Sequence, residues 1–195
     1  TNLKFRGIKS VFLKFMEENI LPGKIHWLYF DSEKVLFNRV TENKKMSKNT
    51  SPKNETILTA EITFSKGDEI DRMSDKDLEL IIKNQLIKTG LTKDKEFIES
   101  SVNVENFVYP VQTKGYNEEL SKAKSFVNKF EQLYSIGTGG EFNYADSQVL
   151  FHKAFDIVDI FCEKNSSTTQ VMRENHLEKM KKNININART VGDDY

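Results

Sequence analysis

The sequence has few of the residues that define cross-linked or low-complexity proteins. Among its 195 residues there are one cysteine, three prolines and nine glycines. A single cysteine excludes an intramolecular disulfide and a zinc site built from several cysteines. So few glycines and prolines exclude a low-complexity chain. The low cysteine content predicts a reducing, cytoplasmic location.

An excess of charge and a long apolar run are also missing. Lysine plus arginine number 29, and so do aspartate plus glutamate, so no net field draws the chain to nucleic acid. No apolar run approaches the roughly 20 residues of a membrane-spanning helix. Hydrophobic residues nevertheless make up 37% of the chain, including 14 phenylalanines, which is enough for a folded core.

The hydrophobic pattern predicts an α+β fold with a mainly antiparallel sheet and flanking helices. Strands are predicted over 8–17, 25–31, 35–40, 55–65 and 97–109, the first three as a meander, with a long polar loop over 41–54. Helices are predicted over 75–88, 116–130 and 146–163. Ser74 with Asp77 indicates the start of the first helix, and Gly90 its end.

A glycine cluster, Gly137-Thr138-Gly139-Gly140, lies between the short apolar run 133–136, predicted as a strand, and the last helix. A strand, glycine turn and helix in this order can present helix N–H groups to a phosphate or an electron-rich ring. Asp146 or Ser147 is placed to cap the helix. The alternatives are a tight turn without a ligand and, for Asp146, a plain N-cap.

Other chemistry has little support. His26, His152 and His176 are too scattered for a metal site, and no nucleophile elbow is present. Cys162 lies on an apolar helix face and is predicted to be a core residue.

The stretch LYSIGTGGEFNYADSQV resembles the last strand, turn and helix of the flavin-binding domain in UDP-galactopyranose mutases and related amine-oxidase-like flavoproteins. Upstream, Arg39, Glu42 and Lys44 resemble that family's Arg-x-x-Glu-x-Lys strand end, and Val108-Tyr109-Pro110-Val111 resembles its Tyr-Pro segment. The resemblance spans most of residues 8–160 and implies FAD as the cofactor. It also implies that the start of the last helix lies at the pyrimidine edge of the isoalloxazine.

The resemblance implies three parts of the chain. Residues 1–115 form a substrate-domain sheet with one helix, residues 116–164 form a helix, strand and helix that return to an NAD(P)-binding Rossmann-like FAD domain, and residues 165–195 form a polar tail. The implied substrate-binding residues are Trp27, Arg39 and Tyr109, while a surface ion pair with Glu42 is the alternative for Arg39. The implied cofactor-binding residues are Gly137, Thr138, Gly139, Tyr144, Asp146 and Ser147.

Two departures from the family shape the functional prediction. Thr138 stands where the family has arginine, and no GxGxxG motif occurs in the 195 residues. With no initiator methionine, we expect the C-terminal fragment of an FAD-dependent oxidoreductase or mutase-like flavoprotein, whose GxGxxG-bearing N-terminal FAD domain is missing and which is inactive alone. Its expected substrate is a small molecule, a nucleotide-sugar or related carbohydrate. The alternative is a non-catalytic α+β binding or interaction module that retains the fold without the cofactor.

Overall fold

The computed structural model describes residues 2–130 and 133–165, and in these ranges the chain forms a five-stranded sheet with helices around it. The strands are β1 (Lys4–Phe15), β2 (Trp27–Tyr29), β3 (Arg39–Glu42), β4 (Thr56–Ser65) and β5 (Phe97–Val111). The helices are α1 (Asn43–Met46), α2 (Glu69–Arg72), α3 (Asp75–Lys88), α4 (Tyr116–Val127), α5 (Gly137–Glu141) and α6 (Ser147–Asn165). The predicted polar tail lies outside the described residues from 166 onward.

The sheet has the order β2-β3-β4-β1-β5, and all neighbouring strands are antiparallel. The predicted α+β fold with an antiparallel sheet is therefore confirmed. The predicted meander of the first three strands is wrong, because β1 lies between β4 and β5 while β2, β3 and β4 follow one another. Alternate residues of β1 are buried, because successive side chains of a strand point to opposite faces and one face of this sheet packs on the core.

The core lies between one face of the sheet and α3. Leu78, Ile82 and Leu86 of α3 are fully buried, because their spacing places them on one side of the helix. They join a single hydrophobic cluster with alternate residues of β1 and β4, among them Val11 and Leu58. The opposite face of the sheet does not pack on α3 and is called the polar face.

The predicted boundaries of α3 are confirmed. The Ser74 hydroxyl accepts a hydrogen bond from the Asp77 N–H at 3.2 Å and donates one to the Asp77 carboxylate at 2.6 Å. Gly90 follows the helix with a left-handed φ of 84°, which only glycine adopts without strain.

Three local predictions are wrong. The strand predicted over 35–40 begins only at Arg39, because the Leu36 N–H donates to Gln85 Oε1 of α3 at 2.8 Å. The loop predicted over 41–54 contains the end of β3, α1 and a 3₁₀ turn. Residues 133–136 are not a strand, since they pair with none of the strands in the described part of the chain.

Candidate functional site

The polar face of the sheet carries two rows of side chains that cross four strands. In one row the register places Ser10 beside Glu61, Glu61 beside Arg39, and Arg39 beside Tyr29. The other row runs in the same way through Phe12, Thr59, Thr41 and Trp27. Side chains directly opposite each other on neighbouring strands share a face and interact. These two rows are called the open face below.

Arg39 and Glu61 form the central contact of the open face. Arg39 Nη2 lies 2.7 Å from Glu61 Oε1 and Arg39 Nε lies 2.9 Å from Glu61 Oε2, a bidentate pair. Arg39 Nη1 also donates to the Tyr29 hydroxyl at 3.3 Å. The hydrogen bonds that Arg39 donates to Glu61, followed by the one that it donates to Tyr29, raise the pKa of Arg39 above its ordinary value. The guanidinium is thus held by both of its neighbours in the row.

A shallow cavity of about 420 Å³ opens over this pair. Its walls come from both rows and from the start of α1, namely Ser10, Phe12, Trp27, Arg39, Thr41, Asn43, Met46, Thr59 and Glu61. The Trp27 side chain remains 46% exposed and leaves a large aromatic surface available to a ligand. The cavity therefore combines aromatic surface with hydroxyl, amide and paired charged groups.

Tyr109 connects the sheet to the segment that precedes α6. Its ring centroid lies 5.5 Å from that of Tyr144, which is itself 61% exposed. Burial raises the pKa of the Tyr109 phenol, and the nearby Tyr144 and Glu61 raise it further. Tyr109 is therefore close enough to the open face to be affected by its charges.

The glycine cluster does not form an open turn, because Gly137–Glu141 is the short helix α5. A Cβ on Gly140 would lie 2.6 Å from Ser135 Oγ, so this position requires glycine for close packing. The Thr138 carbonyl accepts the Phe142 N–H, and Phe142 is buried against Phe5. The predicted turn at Gly137–Gly140 is thus wrong in detail, and its residues pack locally as one helical turn.

Asp146 and Ser147 lie where the last helix begins, close to the predicted boundary. The Asp146 carbonyl accepts the Val149 and Leu150 N–H groups at 3.0 and 3.2 Å, and its carboxylate accepts the Gln148 side-chain amide at 3.4 Å. A Cβ added to Gly139 would have no heavy atom within 4 Å. The space next to the Gly139 backbone is therefore open.

The structure brings some of the predicted site residues together. Trp27 and Arg39 line the same cavity, and Tyr109 contacts Tyr144, while Gly137, Thr138, Gly139, Asp146 and Ser147 lie along the segment that carries Tyr144. Sequence reasoning missed Glu61 and Tyr29. The alternation of ETILTAEITFS places Glu61 on the polar side of β4, but it does not indicate that Arg39 is its partner.

Glu42 and Lys44 of the Arg-x-x-Glu-x-Lys segment are structural residues. Glu42 is fully buried and accepts hydrogen bonds from the Ile20 and Leu21 N–H groups and the Thr56 hydroxyl. The Lys44 ammonium donates to three carbonyls, those of Pro52, Lys53 and Glu55. The alternative surface pair between Arg39 and Glu42 is therefore wrong, because Glu42 faces the core and Arg39 faces the opposite side.

Three further features limit the chemistry of the described residues. Within 2–130 and 133–165 no group of three histidine, cysteine, aspartate or glutamate side chains could hold a metal ion. Over the same ranges none of the helices has the length and apolar content needed to cross a membrane. Cys162, predicted as a core residue, is exposed, and the described part of α6 contributes no residue to the hydrophobic cluster.

No protein-family model and no curated protein sequence matches the chain. Solved structures share its fold, among them the following two. One is a reduced UDP-galactopyranose mutase, with 20% identity, a TM-score of 0.64, and coverage of 73% of this chain and 30% of that one. The other is assigned as a protoporphyrinogen oxidase from Exiguobacterium sp. 255-15, with 16% identity, a TM-score of 0.56, and coverage of 71% and 31%.

These identities support a relation at the level of the fold. The resemblance to UDP-galactopyranose mutases inferred from the sequence is supported to that extent. This chain spans about 30% of the length of either solved structure, so most of the mutase and of the oxidase has no counterpart in it.

Proposed function

We propose that this chain is the sheet-bearing portion of an FAD-dependent oxidoreductase or mutase-like flavoprotein, and that it holds a small-molecule substrate on the open face. The observation that carries the proposal is the position of the cavity over Arg39 and Glu61. It lies on the polar face of the sheet, and Tyr109 on that sheet contacts Tyr144 in the segment where a flavin is expected. The fold shared with a mutase and an oxidase supports it.

The proposed substrate contacts are Trp27, Arg39 and Tyr109, and Glu61 belongs with them. Trp27 offers a flat apolar surface, while the Arg39 and Glu61 pair offers donors and acceptors in one plane. A ring carrying hydroxyl groups matches this combination. A nucleotide-sugar or related carbohydrate is therefore the substrate class that we propose.

The residues that precede α6 fit the edge of a flavin ring better than a complete FAD. Tyr144 is exposed, Gly139 leaves open space, and the first N–H groups of a helix lack partners within that helix. The positive end of α6 would stabilise negative charge at the ring edge. No GxGxxG motif is present in the 195 residues, so we propose that residues outside this chain bind the diphosphate of FAD.

The proposed contacts to the ring come from Gly137, Thr138, Gly139, Tyr144, Asp146 and Ser147. When bound, FAD supplies the electron-transfer chemistry, and the chain's own residues hold and orient the substrate. Arg39 and Tyr109 fix polar groups of the substrate, and Trp27 covers its apolar face and displaces water.

The test is to determine the coding sequence upstream of Thr1 and to express the entire reading frame. We expect about 200 further residues with GxGxxG near their start, because that motif opens a dinucleotide-binding unit. The full protein should be yellow with one FAD bound, whereas residues 1–195 alone should be colourless. A start codon directly before Thr1, or a colourless full-length protein, would contradict the proposal and favour a binding module.

A further inference from the structure

We propose that Glu61 is a specificity-determining residue that keeps Arg39 from binding anions, so that the open face accepts an uncharged, hydroxyl-rich ligand. This inference rests on the proposed function only in placing the substrate on the open face. It narrows the proposed substrate class to a carbohydrate whose bound part carries no phosphate at Arg39.

The geometry shows why Arg39 is not a free anion site. Glu61 holds both Nε and Nη2 at 2.9 and 2.7 Å, which is the bidentate arrangement that a phosphate or carboxylate of a ligand would need. Tyr29 accepts from Nη1, the remaining nitrogen. An anion would have to displace Glu61 before it could bind Arg39 in the same way.

Electrostatics point in the same direction. Arg39 and Glu61 are the charged side chains among the residues that line this cavity, and their charges cancel. The attraction between two charges falls with distance, so an anion near Arg39 is also repelled by the adjacent carboxylate. The Glu61 side chain is 18% exposed and is therefore only weakly screened by water.

The hydroxyl groups of an uncharged ligand match the hydrogen-bonding groups of the Arg39 and Glu61 pair that are still unused. Each Glu61 oxygen has a second lone pair, and Arg39 has N–H groups beyond those used in the pair. The hydroxyls of Ser10, Thr41 and Thr59 lie in the same cavity, and Trp27 provides a surface on which a sugar ring can stack. The groups therefore suit a polyol ring.

Trp27 also makes the test specific, because it is the only tryptophan in the chain. Its fluorescence is measured in the 195-residue protein during titration with inorganic pyrophosphate at constant ionic strength. We expect no saturable response in the wild type and a saturable one in Glu61→Gln, with an apparent affinity at least about tenfold higher. Glu99→Gln, an equal charge change at an exposed residue of β5, should behave like the wild type.

The second probe is methyl β-galactopyranoside, which carries no charge. We expect it to change Trp27 fluorescence in the wild type independently of salt, and to bind severalfold more weakly to Glu61→Gln because acceptors are lost. Circular dichroism of each variant confirms folding, and Glu61→Asp, which keeps the charge, should still exclude pyrophosphate.

Three results would overturn the inference: pyrophosphate binding equally to wild type and Glu61→Gln, pyrophosphate binding the wild type more tightly than the sugar, or no response to either probe in both proteins. These outcomes are independent of the flavin test. A colourless full-length protein would contradict the proposed flavoenzyme and leave the Glu61 results unchanged. Failure of the Glu61 experiment would leave FAD binding by the full-length protein unchanged.

Discussion

Replacement of Glu42 by glutamine should destabilise the protein strongly although the shape of the side chain is preserved. Glu42 Oε1 accepts from the Ile20 N–H at 2.9 Å and the Thr56 hydroxyl at 2.8 Å, and Oε2 accepts from the Leu21 N–H at 2.8 Å. Glutamine has one acceptor oxygen, so its NH₂ group must face at least one of these donors. The glutamine NH₂ group and the donor that it faces are then both buried without a hydrogen-bond acceptor.

The magnitude follows from the number of groups left without a partner. A buried donor without an acceptor costs about 1–3 kcal/mol, and the charge assistance of the remaining bonds is lost as well. Because the wild-type residue has no exposed surface, water cannot compensate easily. We expect a loss of about 2–4 kcal/mol in the free energy of unfolding, or roughly 5–15 °C in Tm for a chain of this length.

Urea denaturation followed by Trp27 fluorescence measures this loss, since Trp27 pairs with Thr41 next to Glu42. Glu99→Gln is the matched control, because Glu99 is exposed and makes only a surface contact with Lys14, and it should change stability by less than about 0.5 kcal/mol. If Glu42→Gln were as stable as this control, the assignment of Glu42 as the buried acceptor that joins β3, β4 and the Ile20–Leu21 segment would be wrong.

Two further predictions concern packing and ionisation. Gly7→Ala should lower the free energy of unfolding, measured by urea denaturation, by about 1–3 kcal/mol, because a Cβ would lie 2.4 Å from the Phe64 ring and 2.7 Å from the Glu105 carbonyl. Gly139→Ala is the control, because a Cβ there would have no heavy atom within 4 Å. Equal stability of the two variants would contradict the packing at Gly7. The Tyr109 phenol should titrate above its ordinary pKa of 10.0, so stability should fall as pH rises from that value, where the unfolded chain loses the proton first. Absorbance at high pH, compared with Tyr109→Phe, measures this pKa, and a midpoint at or below the ordinary value would refute the prediction.

Local features of the fold were predictable from the sequence, whereas pairings between distant residues were not. The boundaries of α3 follow from Ser74, Asp77 and Gly90, which act within one or two turns of the helix. The position of β1 between β4 and β5 does not follow from its own pattern, because a strand buried on one face can have any neighbours.

In the candidate site, too, residue types are predictable from the sequence, whereas contacts between distant residues are not. Residue type and the resemblance indicate Trp27, Arg39 and Tyr109, but the contact of Arg39 with Glu61 depends on the β3–β4 register. The buried positions of Glu42 and Lys44 were missed for another reason. Charged residues are normally exposed, and only the backbone groups that the fold gathers around them make burial possible.

The position of β1 between β4 and β5 has a consequence for the order of events during synthesis. β1 is synthesised before the two strands that flank it in the sheet, so it can pair only after β4 has followed, and its other edge must wait for β5, which ends at Val111. Folding of the sheet therefore depends on contacts that are distant in sequence, which slows folding in general. Until β5 emerges, the apolar residues of β1 are accessible to chaperones and to other nascent chains. Among the strands of this sheet, β1 therefore waits longest for both of its neighbours.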